Sequence, residues 1–232
     1  SGVKIARPDL QVWVATGDGD ALSIGGNHFI HSLRRNMDFK VLLFNNRIYG
    51  LTKGQYSPTS QVGMKTKSSP YGSIDNPFNP VSVALAAEAT FVARAIDTDV
   101  AGMQYVLKRA AEHRGSAFVE IYQNCSVFND GAWDAIAEKA VRSDRVVALE
   151  HGKPLIFGKA KDKGIRIRPD MTLEVVTVAP GHTEGVMVHD ERRPGRPSTL
   201  MATRGAMVNA DDGSRIILFD GNRQEMDLQT HQ

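Results

Sequence analysis

The sequence predicts an α/β protein: a mostly parallel, doubly wound sheet flanked by helices, followed by a small C-terminal appendage. Three features support that class. Residues 11–15, 39–44 and 117–122 are almost continuously apolar, as strands covered on both faces are. Segments of helical period lie between them, so the pattern alternates strand and helix. Past residue 145 the apolar runs become short and are separated by Gly, Pro and Lys. The expected division is therefore a core over 1–145 and an appendage over 146–232 with a polar tail.

In chain order, residues 1–10 are a polar lead-in, and Pro8-Asp9 turns into the first strand. Gly17 and Gly19 give the backbone freedom for a tight turn after it. A helix is expected from near Leu22 or Ser23 to Arg35, and residues 39–44 then complete a βαβ unit. Residues 45–79 have little periodicity and carry Gly50, Gly54, Gly63, Gly72, Pro58, Pro70 and Pro77. A loop this long in a compact domain is functional or disordered, and its place beside the motif favours function. Asn79 caps a helix that starts with Pro80 and covers 81–90. Residues 91–95 read as a short strand. Asp97-Thr98-Asp99 caps a helix over 100–113, with Met103, Val106, Leu107 and Ala110 on its buried face and Gly115 as its stop. The strand at 117–122 ends in Gln123-Asn124-Cys125. A short helix at 135–141 precedes strand-like runs at 146–150, 155–158, 165–168 and 173–178. Residues 180–197 read as turn-rich and charged, 216–219 as a last edge strand, and 220–232 as a mobile tail.

Apolar residues make up 41% and charged residues 23% of the 232, the composition of a globular chain. A formal charge of +2, with no basic stripe interleaved with aromatics, gives no nucleic-acid partner. No apolar run reaches the length of a membrane span, so no membrane partner is expected either. One cysteine excludes an internal disulfide, and with no charged-then-apolar leader the expected location is the reducing cytoplasm. The chain begins Ser1-Gly2 and soon enters a core-like strand, so a further N-terminal segment is expected.

Gly17-Asp18-Gly19-Asp20 closes the first strand and Asn45-Asn46 the second. Oxygen-bearing side chains thus meet at one sheet edge, where open α/β sheets bind ligands. A dinucleotide site fits poorly. Leu22 stands where the third glycine belongs, Asn45-Asn46 replaces the ribose-binding acid, and Asp38 precedes its strand. A carboxylate in the glycine turn would also repel a pyrophosphate. A cation removes that conflict: the Asp18 carboxylate, the Asn46 amide oxygen and the Ile48 carbonyl are hard ligands that Mg²⁺ accepts beside pyrophosphate oxygens and water. Backbone N–H groups of the turn then hold the diphosphate. The alternative is a pair of ordinary turns, disfavoured by the two motifs standing together.

GDGD followed by NN at this spacing resembles the thiamine-diphosphate motif. GDGDALSIGGNHFIHSLRRN and then LLFNNRIYGLTKGQYSPTS resemble the β subunit of 2-oxoacid:ferredoxin oxidoreductases, especially the 2-oxoglutarate type, from about residue 10 to about residue 190. The resemblance implies the thiamine-diphosphate-binding fold. It implies oxidative decarboxylation of a 2-oxoacid, with 2-oxoglutarate foremost, to acyl-CoA (succinyl-CoA) and CO₂. Electrons would pass through a [4Fe–4S] cluster to ferredoxin, and coenzyme A would take the acyl group. It places Asp18, Asn46 and the Ile48 carbonyl on Mg²⁺, and Gly17, Gly19, Asp20 and Thr52 around the diphosphate. Tyr49, Gly50, Leu51, Thr52 and the residues up to Gln55 would line the pocket near the thiazolium. Lys53 is read either as the partner of a substrate carboxylate or as a surface lysine.

His28 and His31 share a helix face. His28 is read either as a positioning residue beside the cofactor and the subunit boundary or as structural, and His31 as structural. No third nitrogen or sulfur ligand makes them a metal pair. Cys125 alone reads as an inert small hydrophobe. In FVEIYQNCSVFN it matches the family's fourth cluster ligand, whose thiolate binds iron, the other three being expected before Ser1. Lys65, Lys67, Tyr71 and Asp75 form either an entrance for coenzyme A or a solvated loop. The sequence after His189-Asp190 departs from the family and receives no function. The glutamate that activates the aminopyrimidine has no counterpart, so the resemblance implies an α subunit in an αβ or α₂β₂ assembly. Other readings are a pyruvate or branched-chain 2-oxoacid oxidoreductase, a non-oxidative thiamine-diphosphate enzyme, and a non-catalytic scaffold.

Overall fold

The computed structural model describes residues 1–150, 152–178, 182–190, 198–210 and 213–225. It divides into two compact units, Ser1–Glu138 and Lys139–Gln232. The first is built on four parallel strands: β1 (Trp13–Gly17), β2 (Lys40–Asn45), β3 (Phe91–Ile96) and β4 (Ala117–Tyr122), in the order β1-β2-β4-β3. Its helices are α1 (Gly2–Ala6), α2 (Asp18–Leu22), α3 (Gly26–Arg34), α4 (Pro80–Ala86), α5 (Val100–Glu112) and α6 (Asp134–Ala137).

Strand periodicity separates two cores. Val41, Leu43 and Phe118 join Leu22, Phe29 and Leu33, with Ala84 of α4, in one cluster. Leu42, Phe44, Val119 and Ile121 join Ala110, Met103 and Val106 of α5 in the other. Helices therefore cover both sheet faces, the doubly wound arrangement. The Phe29 and Phe118 rings meet edge to face at 5.0 Å inside the first core. The Asn79 side chain accepts the Ser82 N–H at the start of α4, and the Asp99 side chain that of Gly102 at the start of α5.

Several boundaries differ from expectation, each for a local reason. β1 runs two residues further and is largely exposed instead of covered on both faces, because it is the edge strand of the sheet. The expected single helix after the glycine motif is two, α2 and α3, parted at Ser23–Gly25. A Cβ at Gly25 would lie 2.7 Å from the Asp20 carbonyl, so the chain packs on itself there. α4 stops at Ala86, and Glu88 takes a left-handed conformation at φ 59°. The expected helix at 135–141 is α6 followed by α7 (Lys139–Arg145), and residues 146–150 form no strand.

The second unit begins with α7 and holds two antiparallel sheets. One contains β5 (Ile156–Phe157), β6 (Lys163–Ile167) and β7 (Leu173–Thr177). The other is a meander of β8 (His182–Asp190), β9 (Ser198–Ala210) and β10 (Gly213–Glu225). Residues 182–190 are thus a strand where turns were expected, since pairing with β9 outweighs local turn composition. The expected edge strand at 216–219 lies inside the longer β10, which also takes 220–225 from the expected tail. Residues 191–197 and 226–232 lie outside the described residues. Among the described residues, no helix is long and apolar enough to cross a membrane.

Candidate cofactor and metal site

The parallel register sets Gly17, the end of β1, beside Phe44 of β2. Asp18 and Asn46 are therefore the first residues past two adjacent strand ends. Asp18 opens α2 and is 1% exposed. Its Oδ2 accepts the hydroxyls of Ser57 and Thr59, each at 2.5 Å. Burial pushes the Asp18 carboxyl up from its ordinary range, opposed by those hydroxyls and by the Asn46 backbone N–H.

The second strand end is equally ordered. The Asn46 Oδ1 accepts the Ile48 N–H at 3.1 Å, and the Asn46 carbonyl accepts the Asn129 side-chain amide at 2.9 Å. Among the described residues, no hydrogen bond reaches the carbonyl of the buried Ile48. Asn45 lies behind them. Its Nδ2 donates to Glu120 Oε1 at 2.7 Å, its Oδ1 lies 3.0 Å from Thr59 Oγ1, and its carbonyl accepts Trp133 Nε1 at 2.8 Å. Glu120, 1% exposed, takes Arg94 Nε on its other oxygen at 2.7 Å. The Arg47 guanidinium sits 3.6 Å from the Trp133 ring centroid, Trp133 stacks on Tyr122 at 3.6 Å, and Arg94 lies over Tyr122. Burial draws the Arg47 guanidinium down, and burial with Glu120 nearby pushes the Tyr122 phenol up to about 12.

Residues 49–55 fold into a tight turn. Tyr49 N donates to the Gln55 carbonyl and Gly54 N to the Tyr49 carbonyl, and the chain is left-handed at Lys53 (φ 76°) and Gly54 (φ 96°). The Tyr49 hydroxyl donates to the Gly19 carbonyl at 2.8 Å, and a Cβ at Gly19 would lie within 2.8 Å of three carbons of that ring. Gly19 is therefore required by close approach. Gly17 is not left-handed either: its φ is −84°, and open space surrounds the place of its missing Cβ. The expected role of these glycines in a tight turn is replaced by room, filled by Tyr49 at Gly19 and left open at Gly17.

The site draws together Asp18, Asn46, Ile48, Tyr49, Gly17 and Gly19. Asp20 is exposed and accepts the Thr16 hydroxyl at 3.1 Å. Thr52, exposed, bonds Gln55 within the turn. Leu51 and Lys53 project into solvent, and among the described residues the Lys53 and His28 side chains make no hydrogen bond. His31 Nδ1 accepts Arg34 Nε at 2.8 Å. A Cβ at Gly50 would lie 3.8 Å from Cys125 Sγ, which places the thiol against the same turn. Lys65, Lys67, Tyr71 and Asp75 are exposed along the loop. Among the described residues, no group of three or more His, Cys, Asp and Glu could hold a metal. A cation here would need amide and carbonyl oxygens, the set offered by Asn46 and Ile48. Sequence reasoning named Asn45 in the motif without a role of its own and missed Ser57, Thr59 and Glu120; the signals were the hydroxyl-rich Ser-Pro-Thr-Ser that starts at Ser57 and a glutamate inside the apolar β4.

Residues 1–121 match the family described as thiamine pyrophosphate enzyme, C-terminal TPP binding domain. The 2-oxoglutarate oxidoreductase subunit KorB of Mycobacterium tuberculosis is 57% identical over 190 residues, covering 82% of this chain and 50% of its own. The 2-oxoacid:ferredoxin oxidoreductase subunit beta of Saccharolobus solfataricus is 34% identical over 220 residues, covering 85% of this chain and 72% of its own. A solved structure of the 2-oxoglutarate:ferredoxin oxidoreductase from Magnetococcus marinus, with 2-oxoglutarate, coenzyme A and succinyl-CoA bound, shares 37% identity at a TM-score of 0.59. It covers 77% of this chain and 60% of that one. The chain spans about half the length of the mycobacterial relative. By family match and by relatives alike, this chain belongs to the β subunits of the 2-oxoacid:ferredoxin oxidoreductases, built on a thiamine-diphosphate-binding α/β domain.

Proposed function

We propose that this chain is the cofactor-binding part of an enzyme that oxidatively decarboxylates 2-oxoglutarate to succinyl-CoA and CO₂ and delivers the electrons to ferredoxin. The observation that carries the reading is the buried Asp18 carboxylate set beside Asn46 past the ends of adjacent parallel strands, with an Ile48 carbonyl that no hydrogen bond reaches among the described residues. With the Asn46 amide oxygen they form a hard, mixed oxygen set suited to Mg²⁺. Thiamine diphosphate, when bound, supplies the carbanion and electron sink that no side chain provides.

The remaining roles are this chain's own. Asp18, Asn46 and Ile48 hold the cation that neutralises the diphosphate. The open side of Gly17 leaves room for the diphosphate, with Gly19, Asp20 and Thr52 around it. Tyr49 fixes the glycine turn from above, and Tyr49, Gly50 and Leu51 line the approach to the substrate. Lys53, held out by left-handed backbone, meets the distal carboxylate of a dicarboxylic 2-oxoacid, while His28 faces the boundary with an α subunit. Cys125 offers one thiolate to a [4Fe–4S] cluster. With a single cysteine the chain cannot hold such a cluster alone, so the other three ligands come from elsewhere in the full subunit.

The relatives' names support the 2-oxoglutarate assignment over pyruvate or a branched 2-oxoacid. The test is coenzyme-A-dependent viologen reduction by the complete α–β complex. Activity is expected with 2-oxoglutarate, lost in Asp18→Ala, with a raised KM for 2-oxoglutarate but not for pyruvate in Lys53→Met. Full activity in Asp18→Ala overturns the metal assignment. Absence of iron and acid-labile sulfide from the complex points instead to a non-oxidative thiamine-diphosphate enzyme.

A further inference from the structure

We propose that the Thr59 hydroxyl, assisted by Ser57, is the positioning group that presents Asp18 to the divalent cation; this rests on the reading of Asp18 as a cation ligand. Both hydroxyls fall on the same carboxylate oxygen, Oδ2, at 2.5 Å. Among the described residues no side-chain hydrogen bond ends on Oδ1, although backbone N–H groups of Asn46 and Asp18 also approach the carboxyl. A carboxylate oxygen has two lone pairs, so a group pinned at Oδ2 by two hydroxyls keeps a single orientation and still has a lone pair on Oδ1 for a metal, which is how outer hydrogen bonds orient ligating groups.

Thr59 does more than occupy Oδ2. Its Oγ1 also lies 3.0 Å from Asn45 Oδ1, on the last residue of β2. That amide is held in one orientation. Its Nδ2 donates to Glu120, whose carboxylate accepts only, and Glu120 is held in turn by Arg94. The Arg47 backbone N–H donates to the same Asn45 Oδ1 at 3.2 Å. With a single proton, the Thr59 hydroxyl donates mainly to Asp18 and shares it with Asn45 only as the longer arm of a three-centre bond, so it stands between the carboxylate after β1 and the strand end that carries Asn46. Its main hold is on Asp18, and the Asn45 contact keeps it facing both strand ends.

Ser57 and Ser60 hold that loop in place. Ser57 N donates to Ser60 Oγ at 2.8 Å, and the Ser60 hydroxyl donates to the Arg47 carbonyl at 2.6 Å. Ser57, Thr59 and Ser60 are all buried. Removing the Thr59 hydroxyl would free Asp18 to turn while leaving the fold's apolar packing in place.

The experiment uses the complete α–β complex stripped of cofactor and metal. Thiamine diphosphate binding is titrated at stepped Mg²⁺ concentrations for wild type, Asp18→Ala, Thr59→Val, Thr59→Ser and Ser57→Ala. Thr59→Val is expected to raise the Mg²⁺ needed for half-saturation by about 10- to 100-fold. Thr59→Ser restores it close to wild type; the stripped Thr59→Val complex still assembles and melts cooperatively, at a lower temperature because a buried carboxylate has lost a donor. If Asp18→Ala loses Mg²⁺-dependent binding while Thr59→Val matches wild type, the positioning role is overturned and the ligand role stands. Equal weakening in Thr59→Val and Thr59→Ser also overturns it, since bulk and not the hydroxyl would then matter. Should Thr59→Val fail to assemble, Ser57→Ala decides: a raised Mg²⁺ requirement supports the proposal and an unchanged one overturns it. Wild-type Mg²⁺ dependence in Asp18→Ala removes the cation reading itself, and this proposal with it.

Discussion

Gly17 and Gly19 stand two positions apart in one motif, yet their surroundings call for opposite outcomes on substitution. An alanine at 17 meets no atom within 4 Å, and its φ of −84° is ordinary for any residue. Gly17→Ala should therefore fold, with a stability gain of about 0.4–1 kcal/mol from the less flexible unfolded chain. The same methyl occupies the room where a diphosphate would lie. Thiamine diphosphate binding by the complete complex is expected to weaken about tenfold or more, the effect of roughly 1–3 kcal/mol of overpacking. Gly19→Ala pushes against the Tyr49 ring and breaks the bond from its hydroxyl to the Gly19 carbonyl, so it should lower stability even without cofactor. Melting curves of the stripped complex beside calorimetric titration separate the two; a Gly17→Ala complex that binds the cofactor as wild type does would move the diphosphate elsewhere. The placement of Asp18 and Asn46 past adjacent strand ends was legible because each follows an apolar run at a spacing that a βαβ unit provides. Thr59 and Ser57 were not, because a hydroxyl in a loop carries no periodic signal. Their contact with Asp18 spans 41 and 39 residues and exists only once the chain has folded.

At the opposite end of the strands, a different polar knot joins α1, β2 and the approach to β4. Lys40 is buried, and its ammonium donates to Asp38 and to the carbonyls of His113 and Gly115. Asp38 also meets Lys4 of α1 at 3.0 Å and accepts the Gly115 N–H. Lys4 first, then the Gly115 N–H and Lys40, hold the Asp38 carboxyl down to about 2, from an ordinary 3.8. A folded-state value below the unfolded one contributes stability that is complete above the unfolded value and is lost as the pH falls towards the folded one. This contribution should fade between about pH 4 and pH 2. Other carboxylates titrate in the same window, so the measurement is a difference. Urea melts of wild type and Asp38→Asn should diverge most above pH 4 and converge near pH 2, and parallel curves across that range would refute the coupling. Of the elements this knot joins, β2 and β4 were readable in advance because their runs are apolar, while α1 was read as a polar lead-in because its five residues show no helical period; the Asn79 and Asp99 caps of α4 and α5 were readable as local chemistry. β1 was misjudged because apolar composition cannot tell a central strand from an edge strand; only the pairing order can. The strand at 182–190 was missed because its partner lies in β9, outside any local window.

For the molecule as a whole, one thiol decides how far the chemistry extends beyond this chain. Cys125 follows β4 at the same sheet edge as Asp18 and Asn46, and its sulfur abuts the Gly50 turn. A residue so placed is close to the proposed cofactor site without being one of its proposed oxygen ligands. It can hand electrons on, as an iron ligand, or merely pack. The two roles separate in the complete α–β complex. As a cluster ligand, Cys125→Ser loses iron and viologen reduction with 2-oxoglutarate, because a hydroxyl is a poor substitute for thiolate on an iron–sulfur cluster. Mg²⁺-dependent thiamine diphosphate binding should persist, since the Asp18–Thr59–Asn45 ties involve no sulfur. Iron analysis, cofactor titration and viologen assay on one preparation check all three. Full iron content with full activity would reduce Cys125 to a packing residue, whereas loss of cofactor binding along with iron would show that the turn at Gly50 needs the sulfur for its shape.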